Sequence, residues 1–296
     1  MKPIEHCTVG IAGLGLMGGA IAMALRNRGV LPLGGSGRLL ACDRDAEVLA
    51  AAGATGIIDG GFTSAETMLK ECDLVFLCLN PSTLLRFMKD QMAAFKSGAL
   101  ITDIVGIKGS ISAAMEKDLR DDLDFIPGHP MAGSERGGFA NAEHCDFRGK
   151  NYILTPLKRN KPENLKYLRD IIHRLGFGRI TCAGAEEHDR KIAFTSQLCH
   201  VIAAALIDCQ SDTAITRFGG GSFEDLTRIA MLNVPMWTEL FRENRVELLR
   251  YIEQFEGSLD TLKRLIAEGP AEDLEERLAV IRDRRMAMKQ KNQQVD

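Results

Sequence analysis

Short, continuous apolar runs alternate with helical stretches through the first part of the chain. Cys7-Thr8-Val9-Gly10-Ile11-Ala12 reads as a strand, residues 16–27 as a helix that Gly29 ends, and Arg38-Leu39-Leu40-Ala41-Cys42-Asp43 as a second strand. Residues 73–79 and 99–105 read as strands, with a helical pattern over 81–95 between them. Such runs are apolar at nearly every position, which fits strands covered on both faces of a sheet. The alternation predicts a doubly wound α/β domain. Residues 151–155 and 179–182 read as late strands of the same domain, flanking a helix over 162–175.

After Gly184 the pattern becomes helical throughout. Residues 185–209 read as one helix, with Ile192, Leu198, Ile202, Ala205 and Leu206 recurring at helical spacing. Residues 222–231 read as a shorter helix capped by Ser222, with Asp225 three residues on. Residues 235–268 read as one very long helix, with Pro235 in its first turn and Gly269-Pro270 as its stop. Its stripe is Trp237, Leu240, Phe241, Leu248, Ile252, Phe255, Leu259, Leu262 and Ile266. A last helix runs from 271 to about 289. A stripe this long rarely finds cover within one small subunit, so the pattern predicts an all-α domain at the core of a dimer; the alternative is a self-contained bundle. The expected division is 1–184 and 185–296.

Composition narrows the function. The chain has 296 residues, 45% hydrophobic and 26% charged, with net charge -3. That leaves no basic footprint for nucleic acid. No apolar run looks long enough to span a bilayer, and the N-terminus lacks a signal-peptide layout. Eight cysteines without a C-x-x-C, mostly within apolar runs, are expected to be buried thiols in a reducing cytoplasm, with no metal site.

Gly13-Leu14-Gly15-Leu16-Met17-Gly18 is a G-x-G-x-x-G after a strand and at a helix start, 25 residues before Asp43 at the end of the next strand. That context marks a Rossmann-type dinucleotide site. Gly13 permits the tight turn, Gly15 the approach of a pyrophosphate, and Gly18 close helix–sheet packing. Free N–H groups of the first turn, from Leu16 and Met17 onward, bind phosphate. Asp43 is expected to accept the adenine ribose hydroxyls, favouring NAD over NADP, although the adjacent Arg44 is able to receive a 2′-phosphate.

Gly128-His129-Pro130-Met131-Ala132-Gly133-Ser134-Glu135 follows the apolar run Asp124-Phe125-Ile126-Pro127, so it leaves a strand end where ligands of this fold class sit. A histidine there suits a general base near neutral pH. With Thr102-Asp103 and Lys108, Asn151 to Pro156, Glu187-His188-Asp189, Ser196 with His200, and the Gly220 to Ala230 phrase followed by Met236-Trp237, this segment resembles the prephenate/arogenate dehydrogenase family along nearly the whole chain.

The resemblance implies a nucleotide-binding domain joined to a helical dimerisation domain, similar to the 6-phosphogluconate dehydrogenase superfamily. It implies NAD-dependent oxidative decarboxylation of prephenate to 4-hydroxyphenylpyruvate in a cytoplasmic homodimer. His129 matches the family's base for the C4 hydroxyl proton, Glu135 a glutamate that orders the site, and Arg228 the substrate arginine. His200 matches a contact to the substrate side chain, with Ser196 one turn before it. Gly221, in the Gly219-Gly220-Gly221 run, allows close approach to substrate or serves as a joint. Gly106 stands where many members carry a serine near the base; Ser134 or a water is the expected substitute. Gln197 stands where histidine is frequent. The rival readings are an arogenate or mixed-specificity enzyme, a β-hydroxy acid dehydrogenase using Lys191, and a catalytically silent NAD-binding sensor.

Overall fold

Seven apolar residues on three strands alternate between two cores, and that alternation defines the first sheet. Leu39, Ala41, Leu74, Phe76 and Leu100 pack on one side, while Leu40 and Val75 pack on the other, all fully buried. In the computed structural model, which describes residues 1–134 and 136–293, the strands are β1 (Thr8–Ala12), β2 (Arg38–Cys42), β3 (Gly60–Phe62), β4 (Leu74–Leu77), β5 (Leu100–Asp103) and β6 (Asp124–Ile126). They form a parallel sheet in the order β3-β2-β1-β4-β5-β6. The order reverses between β1 and β4, which opens a crevice at their carboxyl ends. Helices α1 (Leu16–Asn27), α2 (Ala46–Ala54), α3 (Ala65–Glu71), α4 (Pro81–Gln91) and α5 (Gly109–Asp118) connect these strands.

The late strands depart from the sequence reading. β7 (Gly128–Pro130), β8 (Asn151–Leu154) and β9 (Arg179–Cys182) form a separate three-stranded sheet, with α6 (Pro162–Arg174) between β8 and β9. Pro127 has no N–H to continue a ladder, so the chain turns after β6 and β7 pairs antiparallel with β8. His129 therefore sits on a strand, opposite Ile153.

The helical part begins with α7 (Ala185–Ile192), a π-helical segment (Ala193–Gln197) and α8 (Leu198–Asp208). By length and composition this stretch passes as a possible membrane span, which corrects the expectation that no run would. It also carries His188 and Gln197, both buried. α9 (Gly221–Thr227) starts from Gly220 with no side-chain cap, so Ser222 does not cap it. The predicted 235–268 helix is two helices, α10 (Val234–Glu243) and α11 (Arg245–Glu268). Asn244 interrupts the run with φ -102° and ψ 22°. Its buried amide donates to Asp189 O at 2.9 Å and to Gln197 Oε1 at 2.8 Å, contacts that hydropathy does not register. By contacts the chain divides into Met1–Asn244 and Arg245–Asp296. The second unit comprises α11 and α12 (Ala271–Gln293), which leave Val246, Leu249, Leu259 and Ile266 more than half exposed. The cysteines also differ from expectation. Cys7, Cys42 and Cys72 are buried, whereas Cys182, Cys199 and Cys209 are exposed on helix or sheet edges.

One buried ion pair fixes the segment after β5. Lys108 Nζ lies 2.5 Å from Asp103 Oδ2, and both side chains are fully buried. Asp103 also accepts Val105 N–H at 2.9 Å and Gly128 N–H at 3.1 Å. Breaking such a pair strands a buried charge, which costs about 3–5 kcal/mol. Lys108→Met is therefore expected to lose about that much in urea unfolding, and Asp103→Asn in the same chain to recover most of it. A single substitution with little effect contradicts this role.

Candidate active site

The glycine loop shapes the first wall of the crevice. Gly13 has φ +95°, and a side chain there would meet the Cys78 carbonyl. A Cβ on Gly18 would run into Gly13 O, so the helix lies directly on the turn. Gly15 faces open space, and no side chain caps α1. The amides of its first turn are thus presented to an anion. Asp43 follows β2 and accepts Leu14 N–H at 2.7 Å and Asp45 N–H at 3.0 Å. Both bonds fix its carboxylate beside the loop, and the remaining lone pairs suit a ribose diol. Arg44 is exposed. The loop, the uncapped helix and the pinned acid fit a dinucleotide.

The crevice continues into a cleft of about 780 Å³, within the size range of small-molecule sites. Gly15, Leu16, Met17 and Gly18 line one part of it. His129, Ser134, Ser196, His200, Arg228 and Trp237 line the rest. Gly221 opens α9 on an exposed surface and is not part of this lining. Ser134 Oγ accepts Arg136 N–H at 3.1 Å. Glu135 lies outside the described residues.

His129 is oriented from behind. Its Nδ1 lies 2.9 Å from His188 Nε2, and His188 Nδ1 lies 2.7 Å from Asp189 Oδ1. The other nitrogen, Nε2, lies 3.6 Å from where a Cβ on Gly106 would stand, on the cleft side. Burial pushes the His129 pKa well below the usual imidazole value, and His188 and Lys108 add to the effect. Burial also lowers His188, which the Asp189 hydrogen bond partly offsets. Lys108 is lowered by burial and pulled back by Asp103. A neutral imidazole at this position is ready to accept a proton.

On the helical side, His200 stacks on Trp237 with centroids 3.7 Å apart. Its Nδ1 lies 2.9 Å from the Ser196 carbonyl oxygen. Burial, aided by Arg228, lowers its pKa. The π-helical segment holds Ser196 and Gln197, both of which line the cleft. Sequence reasoning did not pick out His188 and Asp189 as partners of His129, because 59 residues separate the two histidines. Nor did it pick out Trp237 under His200. The only available hint was the Glu187-His188-Asp189 phrase at a helix start.

Two neutral histidines, the half-buried His129 and the buried His188, tie stability to pH. A group whose folded value is depressed contributes stability that is complete above its unfolded value, about 6.5, and is lost as pH falls through the folded value. The melting temperature is expected to fall between pH 7 and pH 5, and His129→Gln to flatten that fall. An unchanged slope in the variant contradicts the burial reading.

Comparison with known proteins gives consistent matches. A family model described as the prephenate dehydrogenase nucleotide-binding domain matches residues 21–181, and one described as its dimerization domain matches 184–280. The chain is 31% identical to the cyclohexadienyl dehydrogenase of Zymomonas mobilis, over 98% of each chain. The crystal structure of Aquifex aeolicus prephenate dehydrogenase with hydroxyphenyl propionate and NAD+ matches at TM-score 0.83 and 32% identity, covering 95% of this chain and 98% of that one. Synechocystis arogenate dehydrogenase matches at TM-score 0.75 and 25% identity, covering 95% and 99%.

Proposed function

The chain belongs to the prephenate dehydrogenase family of NAD-dependent oxidoreductases, and from that premise we propose that it converts prephenate to 4-hydroxyphenylpyruvate with His129 as base. The observation that carries this reading is the pose of His129. One ring nitrogen is engaged by His188, and the other faces a cleft shared with the uncapped start of α1.

Bound NAD supplies the hydride acceptor. The first-turn amides of α1, at Leu16, Met17 and Gly18, hold its pyrophosphate, the turn at Gly13 and Gly15 gives it room, and Asp43 holds the adenine ribose. Arg44 is exposed and assigned no more than a rim contact. Nε2 of His129 takes the C4 hydroxyl proton as the carbonyl forms and hydride leaves C4. Loss of carbon dioxide then returns an electron pair to the ring, which becomes aromatic. The proton held on Nε2 is available to the resulting phenolate oxygen. Arg228 grips a substrate carboxylate through two parallel hydrogen bonds. Ser196 and His200 meet the side chain of the substrate. Ser134 and Glu135 are assigned to ordering the loop after β7, and Gly221, where a Cβ would meet only open space, to a joint at the start of α9.

We assign residues 1–184 to NAD binding and 185–296 to substrate binding and dimerisation. The exposed apolar residues of α11 and α12 support a homodimer, since monomers rarely leave such faces open. A reducing cytoplasm suits the eight free thiols.

A second reading, arogenate or mixed specificity, draws on one observation. A carbonyl only accepts, so His200 Nδ1 donates to Ser196 O and the neutral ring has only an acceptor left at Nε2. An acceptor suits the ammonium of arogenate better than the ketone of prephenate.

His129→Asn is expected to cut turnover by about 10²–10⁴-fold while leaving prephenate affinity nearly unchanged, read from NADH formation and calorimetry. Loss of binding along with turnover removes the assigned role. A wild-type protein that binds NAD yet forms no NADH from either substrate supports the sensor instead. For specificity, kcat/KM with arogenate at or above that with prephenate supports the second reading. An arogenate value below about a hundredth of the prephenate value removes it.

A further inference from the structure

We propose that His188 and Asp189 are positioning residues for the base: Asp189, acting through His188, fixes the proton of His129 on Nδ1 and stabilises the imidazolium that forms when Nε2 takes the substrate proton. This rests on the functional reading above. The chain of donors leaves no freedom. A carboxylate only accepts, so His188 Nδ1 donates to Asp189 Oδ1 at 2.7 Å. A neutral His188 then has a bare Nε2, which must accept Nδ1–H of His129 at 2.9 Å. The lone pair of His129 is thereby left on Nε2, the nitrogen on the cleft side.

The carboxylate at the far end is itself held rigidly. Asp189 Oδ1 also accepts Lys108 N–H at 2.7 Å, and Oδ2 accepts Gly109 N–H at 2.7 Å. Both donors belong to the start of α5, and Asn244 binds the Asp189 carbonyl at 2.9 Å. The loop carrying Gly106 and the helix carrying His188 are therefore joined at one acid. A hydroxyl at position 106 would engage Nε2, the reacting nitrogen, from the cleft side. Glycine there offers Nε2 no hydroxyl, and among the described residues the hydrogen bond that orients the ring is made at Nδ1.

Among the described residues, the charged and titratable groups that act on His129 are His188 from α7, bonded to Asp189, and Lys108 from the loop after β5, paired with Asp103 at the end of β5. The Lys108 charge opposes an imidazolium and Asp103 neutralises it locally. Asp189 is the net anionic partner along the hydrogen-bonded path.

The test compares pH profiles of kcat for wild type, Asp189→Asn, His188→Asn and His188→Phe at saturating NAD and substrate. Asp189→Asn is expected to lower kcat about 10- to 100-fold, to leave both KM values within about threefold, and to move the acid limb to lower pH, because the imidazolium loses its partner. Merely loosened packing would admit water and move that limb up. His188→Asn keeps an acceptor for Nδ1–H and is expected to retain at least about five times the kcat of His188→Phe, which keeps none. That pair also decides the matter if Asp189→Asn fails to fold. A stationary or rising acid limb, or equal activity of the two His188 variants, overturns the proposal. Nitrogen-15 NMR of the imidazoles in the NAD-bound protein reads the tautomer without any turnover. A proton on Nδ1 of His129 supports the relay, and a proton on Nε2 overturns it. A wild type inactive on both substrates counts against the functional reading and leaves this NMR result to judge the relay.

Discussion

The Lys108–Asp103 ion pair carries a cost that only its position explains. Two charges buried without solvent gain little net stability, and an apolar pair of similar volume would often serve stability as well. What the apolar pair would lack is the reach of the carboxylate. Asp103 takes the N–H groups of Val105 and Gly128 as well as the ammonium, so one acid at the end of β5 fixes both the loop that follows it and the first residue of β7. His129 is the next residue. Shifting Asp103 would move the base, the glycine beside it and the start of α5 together.

A second acid, Asp189, works from the opposite wall. It binds the α5 start and His188, and through His188 it reaches His129. The base is thus held between two carboxylates that never contact it directly. Burial of the ring makes it a neutral proton acceptor, and the same burial makes the protein sensitive to acid. Activity and stability draw on one environment here, and neither is adjustable without the other.

Much of this architecture was legible in the sequence. The strand Leu74–Leu77 and the helix Leu16–Asn27 fall within the stretches the pattern marks, because doubly buried strands are apolar throughout and a glycine past the last turn ends a helix. The glycine fingerprint is readable because each glycine answers a local steric demand. What escaped depends on residues far apart in the chain. The second sheet forms because Pro127 turns the chain and β8 lies across from β7, a pairing that periodicity does not encode. The break at Asn244 comes from a polar side chain pinned to Asp189 and Gln197, in the middle of an unbroken apolar stripe. His188 looked like the opening of a helix until His129 stood 2.9 Å away.

The central claim is that Nε2 of His129 meets the oxygen that gains carbonyl character. A crystal structure with NAD and 4-hydroxyphenylpyruvate tests it most directly. The account predicts the phenolic oxygen within about 2.6–3.2 Å of Nε2, with Nδ1 still on His188. A product oxygen out of reach of that nitrogen, or an imidazole turned from the cleft, would contradict it.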